Sequence, residues 1–205
     1  MDINKQDIYY TIEQSEIAEI KIKGSKFIGY AAPAASREIA MEFLEGIRAK
    51  HFDATHNCYA FKIGKEGIDY RYSDDGEPNG TAGKPILYTF TKFDVSDIIV
   101  VVTRYFGGTK LGVGGLVRAY SDASEAVLEQ CTKKIIHCTS PVQVHCTYED
   151  INTVKRLLSQ YAISMDEEYT DKVVITAEIH KSKAQSFCDE VYKHTNGKVK
   201  GELLI

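Results

Sequence analysis

IIVVVTRYFGGTKLGVGGLVRAY, residues 98–120 of the chain, contains a strand, a glycine-rich loop and the start of a helix in succession. The β-branched run from Ile98 to Thr103 predicts a central strand that is buried on both faces. After the loop, apolar side chains recur at helical spacing, which predicts an amphipathic helix with its buried face formed by Leu116, Tyr120, Ala123, Val127 and Cys131. A buried strand that feeds a helix is typical of an α/β domain.

The loop between this strand and this helix is the strongest candidate for a binding site. Backbone N–H groups and the dipole at a helix N-terminus can hold an anion, and glycines let a phosphate approach the backbone. We expect cationic side chains to converge there, namely Arg104, Lys110 and Arg118, joined by Lys84. The predicted anion- or nucleic-acid-binding site takes its backbone from Gly107, Gly108, Gly112, Gly114 and Gly115. Residue 117 is Val, so the dinucleotide pattern G-x-G-x-x-G is incomplete.

A second interpretation of the same loop is structural. The glycines would allow the helix to pack closely on the strand, and the arginines would pair with acidic residues of another loop. The two interpretations differ in whether Arg104 and Arg118 are available to an external anion.

That other loop is residues 73–85, SDDGEPNGTAGKP, which combines three acids, three glycines and a lysine. Its motif residues are Asp74, Asp75, Gly76, Glu77, Gly80, Thr81 and Gly83. The acids could hold a hard cation, act as a base, or simply shape a solvated turn before a helix. The EF-hand spacing is absent. A phosphate-loop motif is also absent, because Pro85 follows Gly83-Lys84 where that motif has Ser or Thr. We predict no metal and no cofactor.

A strand predicted from His56 to Ile63 contains His56 and Cys58, which share a face because they are two positions apart. They could form a nucleophilic pair, but a buried cysteine beside a hydrogen-bonded histidine is the favoured interpretation. The five cysteines include no C-x-x-C pair, so neither a zinc cage nor a disulfide framework is predicted. We therefore predict no catalytic residues.

The remaining sequence divides into two domains, which we place at residues 1–135 and 136–205. The first also holds strands near residues 20–23 and 27–32, a helix that Ser36 caps, a turn-rich segment at 64–80 and a helix at 85–93. The second follows the order β-α-β-β-α-β, the ferredoxin-like split βαβ unit. The expected class is α+β, an α/β domain followed by a ferredoxin-like domain.

The net charge of −4 excludes a strongly basic nucleic-acid module, so any nucleic-acid affinity must come from a local basic patch. The sequence contains no stretch long enough to span a membrane, and its first residues lack the pattern of a signal peptide. We expect a cytoplasmic protein with no membrane partner.

Three segments in this order resemble the IMPACT/YigZ family: His56 to Phe61, Asp74 to Pro85 and Arg104 to Tyr120. The resemblance covers roughly residues 15–130 and implies a ribosomal-S5-domain-2-like fold for the first domain. The second domain is similar to the small ferredoxin-like domain of bacterial members. This pair of domains is similar to domains IV and V of elongation factor G, which work against ribosomal RNA.

The family's eukaryotic relative is a translational regulator, and no established catalytic activity comes with the resemblance. It implies a non-enzymatic RNA- or ribosome-associated protein that modulates translation or a stress response. Two other hypotheses are open: an enzyme that acts on a phosphorylated small molecule or nucleotide through the two loops, and an interaction module for a translation or stress factor.

Overall fold

The structure, a computed structural model, describes residues 5–204. It divides into two compact units, Tyr9–Ile136 and a second unit in which residues 5–8 cluster with residues 137–204. The elements up to the boundary are β1 (Ile8–Ile12), β2 (Glu16–Ile22), β3 (Ser25–Pro33), α1 (Arg37–Lys50), β4 (His56–Ile63), β5 (Asp69–Ser73), α2 (Gly83–Lys92), β6 (Ile98–Tyr105), α3 (Gly112–Leu128) and β7 (Lys133–His137).

The predicted central strand is β6, which lies in the middle of a five-stranded sheet of order β2-β3-β6-β4-β5. Alternate residues of β6 enter two different cores. Val100 and Val102 pack into the core that contains α2 and α3, whereas Ile99 and Val101 pack with α1 residues such as Leu44. Helices therefore cover both faces, which explains the unbroken β-branched run, although every strand pair in this sheet is antiparallel.

Several local predictions are confirmed by the structure. The Ser36 side chain accepts a hydrogen bond from the Ile39 N–H and begins α1, and His56–Ile63 forms β4. The turn-rich segment 64–80 nevertheless contains a strand, β5, in which the exposed Tyr70 and Tyr72 alternate with polar residues. It lies at the sheet edge and has no buried apolar run to mark it. Two further strands, β1 and β7, also escaped prediction and pair in a separate two-stranded sheet.

The second unit has the predicted order of elements: β8 (Thr139–Cys146), α4 (Ile151–Tyr161), β9 (Ala162–Tyr169), β10 (Val173–His180), α5 (Lys181–His194) and β11 (Gly201–Leu203). Its sheet has the order β11-β8-β10-β9 and is antiparallel throughout. Leu158 of α4 and Phe187 of α5 are fully buried in its core. This is the ferredoxin-like arrangement.

Residues 5–8 differ from the predicted division of the chain, because they cluster with the C-terminal unit. The Asp7 carboxylate accepts hydrogen bonds from the Ser182 N–H (3.1 Å) and hydroxyl (2.5 Å). The Asp7 carbonyl accepts from the Cys138 N–H at 2.7 Å. Asp7 thus satisfies a free amide in the first turn of α5 from a distant part of the sequence, which local patterns do not predict.

No helix within residues 5–204 is long and apolar enough to cross a membrane.

We predict that Asp7→Ala destabilises the C-terminal unit by about 1–2 kcal/mol. Without the carboxylate, the Ser182 N–H in the first turn of α5 loses its hydrogen-bond acceptor. Urea unfolding, with hydrogen exchange of the α5 amides as the local measure, tests this. Asp166→Ala, an exposed aspartate of β9, is the matched control. Equal effects of the two substitutions would contradict a capping role for Asp7.

Candidate functional site

The acidic loop is held in shape by Asp74. Its Oδ1 accepts hydrogen bonds from the backbone N–H groups of Ala82 and Gly83, both at 2.9 Å, and its Oδ2 accepts from Gly80 N–H at 2.8 Å. Gly83 is the first residue of α2, so the carboxylate also lies at the positive end of that helix. Asp74 therefore stabilises the backbone of the acidic loop.

Asp75 joins the loop to β4. Its Oδ2 accepts from the Asn57 N–H at 2.6 Å, and its Oδ1 lies 3.4 Å from the Arg48 guanidinium. The Asp75 carbonyl lies 2.7 Å from His56 Nδ1. A carbonyl can only accept, so His56 carries a hydrogen on Nδ1 and donates it to Asp75.

Glu77 is the buried carboxylate of the site, with only 8% of the residue exposed. Its Oε1 accepts from the Arg104 guanidinium at 2.5 Å and from the Tyr120 hydroxyl at 2.8 Å. His56 Nε2 lies 3.9 Å from the same oxygen. The acidic loop and the glycine-rich segment are therefore joined by a buried, hydrogen-bonded ion pair.

Arg104 corrects the prediction that its charge is available to an external anion. The terminal nitrogen that faces Glu77 is occupied, and the other lies 3.5 Å from the Ser25 hydroxyl. The guanidinium carbon lies 5.4 Å from the ring centroid of Phe27 and 5.5 Å from that of Phe106. β6 directs this side chain into the domain, where 6% of it is exposed. The internal pairing considered for the arginines thus holds for Arg104.

Cys58 has the character of a structural thiol. Its Sγ lies 3.0 Å from the Asp74 carbonyl and 3.4 Å from the Tyr120 hydroxyl. Burial raises the pKa of the Cys58 thiol far above its usual range, and burial likewise raises the pKa of Tyr120. Both groups stay protonated near neutral pH, so Cys58 is a poor nucleophile.

A cavity of about 400 Å³ opens beside the Glu77–Arg104 pair. Lys110 and Gly112 line it, together with His56 from β4. Arg118 lies in a separate cavity of about 350 Å³, which Lys23, Gly114 and Gly115 also line. Arg104 and Lys110 thus line the first cavity and Arg118 lines the second, while Leu111 contributes to both, so the three cations do not all line one cavity.

Lys84 lies apart from the two cavities. It is exposed in the first turn of α2, where its ammonium lies 5.8 Å from the Tyr88 ring centroid. It lines neither cavity.

The glycines divide between packing and exposure. A Cβ on Gly107 would lie 1.9 Å from the carbonyl carbon of Gly24, so the two backbones approach too closely for any side chain. Gly83 is similarly tight against the backbone of Ser73. Gly76, Gly80, Gly108 and Gly112 have positive φ, whereas Gly114, in the first turn of α3, has open space around it. Gly115 has only the Leu111 side chain nearby.

The motif also contains a buried hydroxyl. Thr81 donates from Oγ1 to the Pro78 carbonyl at 2.6 Å and is 1% exposed. It therefore stabilises the turn and is inaccessible to a ligand.

Two residues of the candidate site were not predicted from the sequence, Lys23 and Ser25, which flank the Gly24 turn. Ser25 is fully buried, and its hydroxyl accepts from Gly107 N–H at 3.1 Å. The sequence signal for them is a Lys-Gly-Ser turn between two strands. Nothing in the local sequence predicts that this turn contacts Gly107, about eighty residues further on.

Within residues 5–204, no group of three or more His, Cys, Asp or Glu side chains is placed to hold a metal ion. The carboxylates of Asp74, Asp75 and Glu77 instead contact different protein groups.

Fold and site define a two-domain protein: an α/β unit with two loops locked by a buried ion pair, and a ferredoxin-like unit. The Impact N-terminal domain matches residues 23–128, and a domain of unknown function, DUF1949, matches residues 144–198. The chain therefore belongs to the IMPACT family.

Relatives and a solved structure agree with this assignment. The IMPACT family member YvyE of Bacillus subtilis is 34% identical, over 93% of this chain and 88% of that protein. The IMPACT family member YigZ of Escherichia coli is also 34% identical, over 86% and 88% of the two chains. The crystal structure of a hypothetical protein has a TM-score of 0.69 and 32% identity, and the match covers 97% of this chain and 98% of that one.

We predict that the two arginines differ sharply in structural importance. Arg104→Ala leaves Glu77 buried without its charge partner and should lower the free energy of unfolding by about 3 kcal/mol or more. Arg118→Ala removes an exposed side chain and should change it by less than about 0.5 kcal/mol. Urea unfolding of both variants measures the contrast, and similar losses would refute the assignment of the buried pair.

We predict a second contrast between two glycines of the same loop. Gly107→Ala forces the β2–β3 turn and the loop apart and should cost about 1–3 kcal/mol. Gly114→Ala adds a helix-favouring residue in open space and should be neutral or stabilising by up to about 1 kcal/mol. Thermal unfolding of the two variants provides the measurement, and a stable Gly107→Ala protein would show that the close approach is not required.

Proposed function

We propose that this protein is a non-enzymatic, cytoplasmic RNA- or ribosome-associated factor that modulates translation. The observation that carries the proposal is a cationic surface around the N-terminus of α3, formed by Lys23, Lys110 and Arg118. The proposed role in translation rests on the family resemblance, because the family's eukaryotic relative is a translational regulator.

The three cations of this surface are exposed. Within residues 5–204, none of them lies within 4.0 Å of a carboxylate. Lys23 and Arg118 line the same cavity, and Lys110 precedes Leu111, which lines that cavity too. In a chain with a net charge of −4, unpaired cations at one place form the local basic patch that binding to a phosphate backbone requires.

The start of α3 adds to this positive potential. Its N-cap residue, Leu111, offers no side-chain acceptor to the first turn. The amides there are available to an anion, and the helix dipole favours negative charge at the same end. Contacts of this kind hold the phosphate backbone without distinguishing bases, so RNA binding should be nearly independent of sequence.

We predict that the double variant Lys23→Ala/Arg118→Ala binds single-stranded RNA more weakly than the native protein at low salt. The slope of log affinity against log salt concentration should become shallower by about one unit for each lost phosphate contact. Fluorescence anisotropy across a salt series gives both quantities, and ribosome co-sedimentation at low and high salt extends the test to the assembled particle.

Lys193→Ala, which removes an exposed lysine of the C-terminal unit, is the control. An equal effect of the control, or an unchanged salt slope in the double variant, would contradict the proposed surface. A protein that binds neither RNA nor ribosomes but captures a single protein partner would favour the interaction-module hypothesis instead.

A further inference from the structure

The cavity beside the buried ion pair is lined by both polar and apolar residues. The polar ones include His56, Glu77 and Arg104, and the apolar ones include Phe106, Val113 and Leu116. Lys110 and the first residues of α3 lie on its lining as well. At about 400 Å³ it falls in the range of small-molecule sites, which combine apolar walls with a few placed polar groups.

The charges around the cavity favour an anion. Arg104 neutralises Glu77, which leaves the Lys110 ammonium and the positive end of α3 as the uncompensated charges on the lining. An anionic head group bound between them would meet backbone amides at Gly112 and Val113. The positive φ of Gly112 is a conformation that other residues rarely adopt.

An independent observation comes from Arg104 itself. Its Nε is buried and donates no hydrogen bond to any described residue, although the residue is only 5% exposed and lines the cavity. A buried donor without a partner is costly, so this Nε–H favours a ligand that brings a hydrogen-bond acceptor to Arg104.

Glu77 adds a requirement for the ligand. Its carboxylate lines the cavity and can only accept hydrogen bonds, so it favours a ligand that brings an N–H or O–H donor. The half-exposed Phe106 ring offers a flat surface to the body of the ligand.

We propose that this cavity binds a small phosphomonoester with a planar, donor-bearing body, the chemistry of a nucleoside 5′-monophosphate. The phosphate lies against Lys110 and the start of α3, the planar body lies on Phe106, and its polar edge brings an acceptor to Arg104 Nε–H and a donor to Glu77. The site shares Lys110 and the start of α3 with the RNA-binding surface proposed above, but it does not use Lys23 or Arg118.

Two valines of α3 give a matched test. Val113 lines the cavity and is 65% exposed, so Val113→Trp fills the cavity mouth without removing a buried side chain. Val117, one turn further along α3, lines neither cavity and receives the same substitution as the control. Val113 is 65% exposed and Val117 36% exposed, so the melting temperature of each variant is measured first, and nucleotide binding is compared at a temperature at which both are folded.

The experiment is a titration of the isotope-labelled full chain with adenosine, cytidine, guanosine and uridine 5′-monophosphates, followed by NMR. At least one nucleotide should produce saturable shifts of the amides at residues 112–114 and of the Arg104 Nε–H. Val113→Trp should weaken binding by about tenfold or more, while Val117→Trp should change it less than about twofold. The proposal is overturned if no nucleotide shifts these signals at about 10 mM, or if the two variants behave alike.

Two additional arms identify the source of the phosphate. Free nucleotide and a short RNA with a 5′-phosphate share the same head group, so the oligonucleotide is compared with its 5′-hydroxyl form. Preferential binding of free nucleotide supports the proposal, whereas binding that occurs only with the phosphorylated RNA end would overturn it. Lys23→Ala should weaken RNA binding and leave nucleotide binding unchanged, so failure of either proposed site is recognised separately.

Discussion

The buried ion pair between Glu77 and Arg104 is the constraint on which the N-terminal unit depends. A charged pair in the interior is stable only when its remaining hydrogen-bonding groups are satisfied. Here Tyr120 donates to the same carboxylate oxygen and Ser25 lies beside the guanidinium. These four residues come from four separate segments of the chain, so the pair sets the positions of the acidic loop, the β6 strand, α3 and the β2–β3 turn together.

The acidic loop can accept this arrangement because its own backbone is already organised. Asp74 satisfies three backbone amides and Asp75 satisfies a fourth on β4. These carboxylates replace the regular hydrogen bonds that an irregular segment lacks, so the loop can present Glu77 at one defined position. A sequence that resembles a cation-binding loop is, in this fold, a loop whose anionic groups are directed inward to its own backbone.

Because Arg104 is paired inside the domain, other cations form the charged surface around α3. With Arg104 neutralised inside, the cations at the start of α3 are those that face solvent, and they lie next to an uncapped helix end. The rigid pair also forms one wall of the adjacent cavity. A small-molecule site and an outer phosphate-binding surface would therefore share Lys110 and the start of α3, so ligands at the two sites would compete for the same charges.

Local patterns in the sequence determined much of this protein by themselves: the buried β6 run, the Ser36 cap, the amphipathic helices and the β-α-β-β-α-β order of the C-terminal unit. Each follows from side-chain periodicity or from a residue's own backbone preference, which act over a few positions. Only the tertiary structure decided that Arg104 pairs with Glu77 while Arg118 stays exposed, that Asp7 caps α5, and that Lys23 joins the surface around α3. These outcomes depend on contacts between segments that lie from 27 to 175 residues apart. Burial decides such pairings, because an arginine delivered into the interior must find a carboxylate, whereas one on the outer face of a helix is solvated by water.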